Sequence, residues 1–201
     1  MDLVIDTVSQ GLRLTLIDHG YDFNYLSLDK SCAHSLLKIL EDELVKGSKS
    51  CDDIKRVFFN RGPGSFTGIK MGYVTAMTFA LDPEVEVYSF TSFDVMHTQV
   101  NATSQDHFLL NAFQGDYFLA NRSELAWDYQ VVSSKELPNM QQAYYMGVQK
   151  YCREEFTSLN DFDEDILKKL VQKNYYSKET SPLYLKKSTA EIARDKKMGL
   201  I

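Results

Sequence analysis

The sequence is poor in the patterns that define metal centres, disulfide scaffolds and membrane segments. Its three cysteines, Cys32, Cys51 and Cys152, are widely separated and odd in number, so they form neither a metal-ligand spacing nor a disulfide framework. No apolar run approaches the roughly 20 residues of a membrane span. The first residues, MDLVIDTVSQG, have no basic region followed by an apolar stretch. We therefore expect a cytoplasmic protein that contacts no membrane and binds no metal.

The chain also lacks the charge surplus of a nucleic-acid-binding protein. Its net charge is −6 over 201 residues, with 44% hydrophobic and 25% charged residues, and these proportions are ordinary for a globular protein. Residues 154–165 hold six acids and no base, whereas residues 186–197 hold five bases against two acids. Both runs are typical of solvated faces, and the basic run is a secondary candidate for contact with RNA or an acidic partner.

Enzyme motifs are missing as well. The histidines form no His-x-x-x-His or His-Glu-x-x-His pattern, so a zinc peptidase is not supported. No Gly-x-Ser-x-Gly elbow provides a nucleophile for acyl transfer. The loop that follows Gly62 differs from a phosphate-binding loop, because five residues separate Gly62 from Gly68 and Met71 follows Lys70. The sequence therefore contains no complete catalytic motif.

The apolar pattern of the first hundred residues predicts an α/β domain of order βββαβαβα. Short runs of alternating or continuous apolar residues predict strands, and apolar residues at every third or fourth position predict helices. Gly47 and Asp82-Pro83 are typical of helix ends. The predicted strands are 3–6, 12–17, 23–28, 54–60 and 85–88, and the predicted helices are 33–46, 68–81 and one that begins near Ser92.

The polar run 101–106 is the candidate domain boundary, with residues 1–103 before it and residues 104–201 after it. Beyond this run, 107–113 and 116–121 predict a hairpin that turns at Gln114-Gly115. Further predicted elements are strands 129–132 and 143–147 and a helix near 164–173. The second domain is therefore expected to be the smaller one.

The most informative segment is 61–81, which reads RGPGSFTGIKMGYVTAMTFAL. Gly68, Gly72, Ala76 and Ala80 recur at every fourth position, so they form one stripe along the predicted helix. A glycine inside a helix costs about 1 kcal/mol relative to alanine, and a close approach of another backbone is the expected compensation. The stripe by itself is as consistent with packing on the protein's own sheet as with packing on a partner.

The rest of this helix favours a partner protein as its second cover. Only Lys70, Thr75 and Thr78 are polar among the residues around the stripe. A helix that is apolar on all sides is expected to be buried on all sides. The helix is therefore predicted to contribute to a binding surface.

Three further segments agree with this loop and helix in indicating one family. Ile-Asp-Thr lies at 5–7 on the first strand, His-Ser at 34–35 opens a leucine-rich helix, and Ser-Pro-Leu-Tyr-Leu lies at 181–185. Together with Gly-Pro-Gly-Ser-Phe-Thr-Gly at 62–68, these residues resemble the TsaB (YeaZ) family of the actin/sugar-kinase/heat-shock ATPase-like superfamily. The resemblance covers residues 1–100 and is thin between 103 and 180. It implies two actin-like (ribonuclease H-like) domains, of which the second is shorter and diverged.

The resemblance implies a supporting role in tRNA modification. Proteins of this family are non-catalytic scaffolds required for making threonylcarbamoyladenosine next to the anticodon. They pair as heterodimers with their paralogue TsaD, which carries the metal, the nucleotide site and the transfer chemistry, and a small ATPase, TsaE, joins the pair. For this chain the resemblance implies no catalytic residue and no cofactor, and contact with tRNA only through the complex.

The family's pairing surface is formed by the two helices of the first domain, which agrees with the apolar helix inferred above. Carried onto this sequence, the resemblance predicts interface residues on both helices. They are Leu36, Leu37, Leu40, Leu44, Gly68, Met71, Gly72, Thr75, Ala76 and Phe79. A homodimer through the same helices is an open alternative, because an exposed apolar patch is a liability unless it is covered.

A nucleotide-binding ATPase or phosphotransferase of the same superfold is the alternative function. Asp6, Thr7 and Ser9 of the first hairpin would supply its phosphate contacts, which would be vestigial in a scaffold. A second phosphate loop needs clustered glycines with available amides, yet the three glycines after Gly72 are far apart. The chain also has Asn111-Ala112-Phe113 where the family has Asp-Ala-Arg. The scaffold function is therefore favoured.

Overall fold

The structure is a computed structural model with two five-stranded sheets and five α-helices among the residues it describes. Those residues are 1–9, 11–18, 21–27, 35–100, 106–112, 115–122, 126–137, 140, 142–147, 151–159, 165–187 and 189–198. The two sheets agree with the predicted fold class.

Strands from the first half of the chain form the first sheet. They are β1 (Asp2–Asp6), β2 (Leu12–Asp18), β3 (Tyr21–Ser27), β4 (Arg56–Asn60) and β5 (Glu86–Phe90), in the spatial order β3-β2-β1-β4-β5. The first three strands pair antiparallel, whereas β4 and β5 run parallel to β1. Because β1 and β4 are parallel neighbours, Asp6 and Asn60 at their carboxyl ends meet at one edge of the sheet.

Three helices alternate with the later strands of this sheet. They are α1 (Leu36–Lys46), α2 (Phe66–Phe79) and α3 (Ser92–Gln99). The order βββαβαβα is the predicted one. Helix α2 begins two residues earlier than predicted, because Ser65 caps it and accepts a hydrogen bond from the Gly68 amide at 3.2 Å.

Alternation along the central strands places hydrophobic layers on both faces of the first sheet. Leu3 and Ile5 of β1 pack with residues of α1 and α2. Val4 and Phe58 belong to a different cluster, which contains residues of α3 and of α4 (Ile166–Gln172). Helices therefore cover the sheet on both sides, which leaves its central strands buried.

Strands from the second half of the chain form the second sheet. They are β6 (His107–Asn111), β7 (Asp116–Arg122), β8 (Trp127–Ser133), β9 (Ala143–Met146) and β10 (Thr157–Ser158), in the order β10-β9-β6-β7-β8. Helix α3 lies between the sheets, since Val95 packs in a cluster of the first sheet and Phe93 and Met96 pack in one of the second. The last described element is α5 (Thr189–Lys197).

The chain returns to the first sheet after the second sheet is complete. Ile166, Leu167 and Leu170 of α4 pack with Val4 of β1. Further along, the backbone of Ser177 exchanges hydrogen bonds with that of Ser89 at the end of β5. The division into residues 1–103 and 104–201 stays a prediction, and α4 shows that hydrophobic packing does not follow that division.

Three expectations about special features can be compared with the described residues. Among them, no helix has the length and hydropathy needed to cross a membrane. The same residues hold no group of three His, Cys, Asp or Glu side chains arranged for a metal ion. Cys51 is exposed and Cys152 is half-buried, both as thiols, and Cys32 lies outside the described residues.

Candidate functional site

The turn between β4 and α2 requires glycine at two positions. Gly62 has φ +113° and Gly64 has φ +152°, a region that other residues rarely adopt. The Gly62 amide donates to Asn60 Oδ1 at 2.9 Å, which ties the turn to the end of β4. The Gly62–Pro63 bond is cis. The Gly-Pro-Gly motif therefore has a structural explanation in this chain.

The stripe of small residues on α2 packs on the protein's own first strand. A Cβ on Gly68 would lie 2.0 Å from the carbonyl oxygen of Thr7, and one on Gly72 would lie 2.9 Å from Thr7 Oγ1. Ala76 is fully buried in the core beneath α1 and α2. The expectation that Gly68, Gly72 and Ala76 contact a partner is therefore wrong, because the sheet already occupies the space beside them. Thr75, another predicted interface residue, is also buried.

The leucine face of α1 is likewise buried in the hydrophobic core. Leu36, Leu40 and Leu44 are each no more than 3% exposed and pack against the first sheet, whereas Leu37 is 64% exposed. Of the four predicted interface leucines, only Leu37 is available to a partner. The other three follow the helical spacing that favours core packing. His34, beside the start of α1, lies outside the described residues.

Helix α2 is not buried on all sides. Its exposed residues follow one line along the helix, and they are Thr67, Lys70, Val74, Thr78 and, just beyond its end, Leu81. The expectation that a partner protein covers the second side of this helix stays a prediction. Two large apolar side chains nevertheless lie on this exposed line, namely Val74 at 61% and Leu81 at 82% exposure.

We call Leu37, Val45, Val74 and Leu81 the outer face of α1 and α2. Val45 is 71% exposed, so each helix contributes two exposed apolar side chains. The two helices cover the same core cluster of the first sheet. The predicted residues Met71 and Phe79 are half-buried. Sequence reasoning missed Val45, Val74 and Leu81 because it selected residues by the small stripe and the leucine spacing, both of which face inward.

Charged side chains accompany the outer face on α1. Lys38 Nζ lies 2.7 Å from Asp42 and 3.6 Å from Glu41, and all three side chains are largely exposed. Such exposed pairs within one helix contribute a few tenths of a kcal/mol. Polar groups beside exposed apolar side chains are compatible with the polar rim of a protein–protein interface.

Asp6, the candidate phosphate contact, is buried and forms hydrogen bonds inside the protein. Its Oδ1 accepts from the amides of Val8 and Ser9 at 2.9 and 3.0 Å, and from Asn60 Nδ2 at 3.0 Å. Its Oδ2 faces Nη1 of the buried Arg13 at 4.0 Å. A bound phosphate would need the same loop amides, so the Asp6 carboxylate takes the place that an anion would occupy there.

The neighbouring polar residues extend this buried network. Asn60 Nδ2 also donates to Ser9 Oγ at 3.1 Å and to Ser92 Oγ at 3.0 Å, and the Ser92 hydroxyl donates to the Pro63 carbonyl at 2.8 Å. Thr7 points to α2, where its hydroxyl donates to the Gly68 carbonyl at 2.7 Å. Asp6 and Ser9 therefore lie together, while Thr7 joins the strand to the helix. Each of the three has a structural partner.

Burial also affects the Arg13 guanidinium beside Asp6. Desolvation lowers the pKa of Arg13 from its usual value, and the attraction of the Asp6 carboxylate opposes that effect. Arginine nevertheless stays charged at any physiological pH. The edge of the first sheet therefore contains a buried ion pair that holds β1 and β2 together.

The 181–185 segment docks on the Gly-Pro-Gly turn. The Leu183 amide donates to the Arg61 carbonyl at 2.8 Å, and the rings of Tyr184 and Phe66 lie 4.8 Å apart. A Cβ on Gly62 would lie 2.7 Å from the Leu183 carbonyl oxygen, so this approach also requires glycine. Two motifs that are far apart in the sequence therefore form one contact.

A cleft of about 300 Å³ lies beside this contact, between the start of α2, the second sheet and the C-terminal segment. Its cationic side chains are already paired. Lys186 Nζ lies 2.7 Å from Asp116, and Lys187 Nζ lies 2.8 Å from Asp195. Ala112, which also lines the cleft, has no charged side chain. The cleft therefore offers little to a phosphate.

Two five-stranded sheets with a helix between them define a two-domain actin-like α/β protein. The chain is similar to two solved structures from Pseudomonas aeruginosa. Each match covers 92% of this chain and 99% of the solved chain. One is YeaZ, with a TM-score of 0.66 and 14% identity. The other is described as a protein with similarity to peptidase YeaZ, with a TM-score of 0.68 and 16% identity. At such identities the likeness concerns the fold alone.

Comparison of the sequence with known proteins identifies relatives within this class of protein. The chain is 28% identical over 95 residues to the tRNA threonylcarbamoyladenosine biosynthesis protein TsaB of Escherichia coli K12, a match that covers 47% of this chain and 41% of that relative. The family model of the tRNA N6-adenosine threonylcarbamoyltransferase TsaD matches residues 29–113. These comparisons confirm the resemblance to the TsaB/YeaZ family that the motifs indicate.

Proposed function

We propose that this protein is a non-catalytic scaffold subunit required for threonylcarbamoyl modification of tRNA, and that it pairs with a TsaD-type partner. The outer face of α1 and α2 carries the proposal. Leu37, Val45, Val74 and Leu81 are between 61% and 82% exposed on helices that are otherwise packed on the first sheet. Exposed apolar side chains on two helices that cover the same face of one sheet are candidates for an interaction surface.

The residues of the first hairpin support a scaffold over an ATPase. The amides of Val8 and Ser9, which an ATPase would present to phosphate, donate to Asp6 instead. Thr7 and Asn60 are bonded to α2 and to Ser92, respectively. A nucleotide phosphate at this position would have to displace a buried carboxylate together with its Arg13 partner. The chain is therefore proposed to supply contacts to the complex and no transfer chemistry.

The partner is proposed to be the TsaD paralogue, with TsaE recruited by the pair and tRNA contacted only through the complex. The Escherichia coli relative is named for threonylcarbamoyladenosine biosynthesis, and the family model that matches this chain is the TsaD model. Paralogues that share a fold can pair through equivalent helices, each covering the other's apolar face. Self-association through the same outer face competes with that pairing.

Reconstituted modification tests the proposal. TsaD, TsaE, ATP, tRNA and the threonylcarbamoyl donor are held constant while this protein is titrated in, and threonylcarbamoyladenosine is measured in the tRNA. We expect formation to rise until one chain is present per TsaD and then to level off, because a scaffold acts by occupancy. Saturation at a small fraction of the TsaD concentration, or ATP hydrolysis by this chain alone, would contradict the scaffold function.

Two variants, one on the outer face and one on the second sheet, test whether the modification activity depends on the outer face. Val74→Glu places a charge on the outer face and is expected to remove most of the modification, because burying an uncompensated carboxylate at an interface costs several kcal/mol. Val131→Glu is the control, since Val131 is also exposed, at 40%, but lies on β8 of the second sheet. Equal loss in both variants would assign the effect to general surface charge.

A further inference from the structure

A second cleft, of about 280 Å³, lies where β8 meets the segment after α4 and the end of β5. Aromatic rings and two guanidinium groups share its wall. The lining side chains used below are Arg61, Asp94, Arg122, Trp127, Tyr129 and Tyr175. The volume is at the lower end of the range for sites that hold one small ligand. None of these residues belongs to the outer face or to the buried Asp6 network.

Arg122 is the central cation of this cleft. Its guanidinium carbon lies 4.6 Å from the ring centroid of Tyr175 and 5.4 Å from that of Trp127. Its Nη1 lies 2.9 Å from His97 Nδ1. Within the described part of the chain, no carboxylate lies at salt-bridge distance from Arg122, so its charge is balanced only by ring faces and a neutral acceptor.

Lys173 adds a further positive charge near Arg122, although it is not part of the cleft wall. Lys173 Nζ lies 5.9 Å from the ring centroid of Tyr175 and donates to the Thr98 carbonyl at 3.3 Å. Burial, together with the charges of Arg122 and Lys173, lowers the pKa of His97 to about 4, although Asp106 opposes the effect. His97 is therefore neutral near pH 7, and its Nδ1 accepts the hydrogen bond from Arg122.

The acidic residue in the wall, Asp94, is hydrogen-bonded by neutral donors and forms no ion pair with Arg122 among the described residues. Asp94 accepts hydrogen bonds from Trp127 Nε1 at 2.8 Å and from the amide and hydroxyl of Thr91 at 2.7 and 2.6 Å. Its carboxylate therefore caps α3 and fixes the Trp127 ring. Arg61 Nη1 donates to the Ser181 carbonyl at 3.1 Å, and its nearest carboxylate, on the exposed Glu179, is 4.0 Å away.

We propose that this cleft binds a nucleotide, with the base stacked among the aromatic rings and the phosphate paired with Arg122. A guanidinium group beside aromatic faces suits this chemistry, because each base has a stacking face and each phosphate offers two oxygens to the guanidinium fork. An inorganic anion would pair with Arg122 but would not stack on the aromatic rings. An uncharged aromatic ligand would stack on the rings but would not pair with Arg122. The nucleotide comes either from solution or from a single-stranded segment of RNA. The site is independent of the scaffold function proposed above.

The fluorescence of Trp127 provides a direct test. It is the only tryptophan of the chain, and it lines the cleft. The full chain is titrated with AMP, adenosine and inorganic phosphate, with correction for nucleotide absorbance. We expect a saturable change with AMP, whereas adenosine and phosphate each bind about tenfold or more weakly, because each supplies half of the contacts. Binding of AMP is expected to weaken with added salt.

Variants separate the site from unspecific binding. Arg122→Gln is expected to weaken AMP binding about tenfold or more, as a charge-assisted pair is lost, and Lys173→Gln to weaken it less. Arg153→Gln is the matched control, because Arg153 also lies over a ring, 6.0 Å from the centroid of Phe156, but in a different cluster of the second sheet. Circular dichroism checks the fold of each variant. If Arg122→Gln does not fold, Tyr175→Leu is used in its place and is likewise expected to weaken AMP binding.

A short single-stranded oligoadenylate distinguishes the two sources. Binding about tenfold tighter than AMP, with the same loss in Arg122→Gln, identifies an RNA strand as the source. Affinity equal to that of AMP identifies the free nucleotide. The proposal is overturned if neither ligand changes the fluorescence at millimolar concentration, or if a folded Arg122→Gln variant binds AMP as tightly as the unchanged protein does.

Discussion

At the scale of single residues, the end of β1 holds a buried carboxylate with several internal partners. Asp6 and Arg13 are almost completely buried and face each other at 4.0 Å. Asp6 also receives three hydrogen bonds, from two loop amides and from Asn60. The sequence identified Asp6 as notable because of its place at a strand end. Only the structure shows that its partners are all internal.

Asp6→Ala is expected to destabilise the protein by about 3–5 kcal/mol, because it removes the carboxylate that faces the buried Arg13 charge and leaves two loop amides and Asn60 without the acceptor they share. Urea unfolding monitored by circular dichroism measures the change. Asp2→Ala is the control. It removes an ion pair with Arg56, whose side chain is 41% exposed, and such surface pairs contribute about 0–1 kcal/mol. Similar losses in the two variants would show that the Asp6–Arg13 pair is effectively solvated.

His97 is expected to make the folded protein less stable as the pH falls. Its pKa is about 4 in the folded protein, whereas an unfolded chain has a histidine pKa of about 6.5. As the pH falls, the unfolded state therefore takes up the proton first, and the stability contributed by neutral His97 is lost between about pH 6.5 and about pH 4.

Urea unfolding at a series of pH values across this window tests the prediction. His97→Gln retains an acceptor for Arg122 and is expected to show a shallower fall in the free energy of unfolding. Parallel curves for the two proteins would mean that His97 is protonated equally in both states.

At the scale of elements, the identity and order of helices and strands in the first half could be predicted, while the direction in which α2 faces could not. The spacing of Gly68, Gly72 and Ala76 defines a stripe without saying what lies against it. The Cβ positions show that the first strand lies there, with Thr7 in closest contact. The exposed Val74 and Leu81 lie on the same line of α2 as the polar Thr67, Lys70 and Thr78, so the sequence did contain a signal for this side, which selection by the small stripe did not use.

The close approach of α2 to β1 predicts a graded response to added methyl groups. Gly68→Ala is expected to destabilise the protein by about 2–3 kcal/mol through overpacking, since the new Cβ would lie 2.0 Å from a backbone oxygen. Gly72→Ala meets only the Thr7 hydroxyl, at 2.9 Å, so a smaller loss is expected. In both variants the change from glycine to alanine also stabilises the helix by about 1 kcal/mol. This contribution is the same in the two variants, so it does not affect the difference between them. Thermal unfolding that ranks Gly72→Ala as the worse variant would contradict the packing described here.

At the scale of the whole molecule, contacts between distant segments hold the two halves together. The 181–185 segment packs on the turn at 62–64, and α4 packs on the first sheet. The sequence located the family motif at 181–185 but could not show that it touches the other motif, because nothing in local spacing reports a contact over about 120 residues. The same limit explains why the cleft around Arg122 and Trp127, whose lining comes from both halves of the chain, could not be predicted.

The scaffold account rests on the outer face being the surface that a TsaD-type partner covers. Light-scattering chromatography of this protein mixed with TsaD from the same organism tests that claim most directly. A stable heterodimer is expected for the unchanged protein and for Val131→Glu, and separate components for Val74→Glu and Leu37→Glu, with all three variants folded. Heterodimers that persist unchanged in both outer-face variants would contradict the account, since the partner would then cover another part of the molecule.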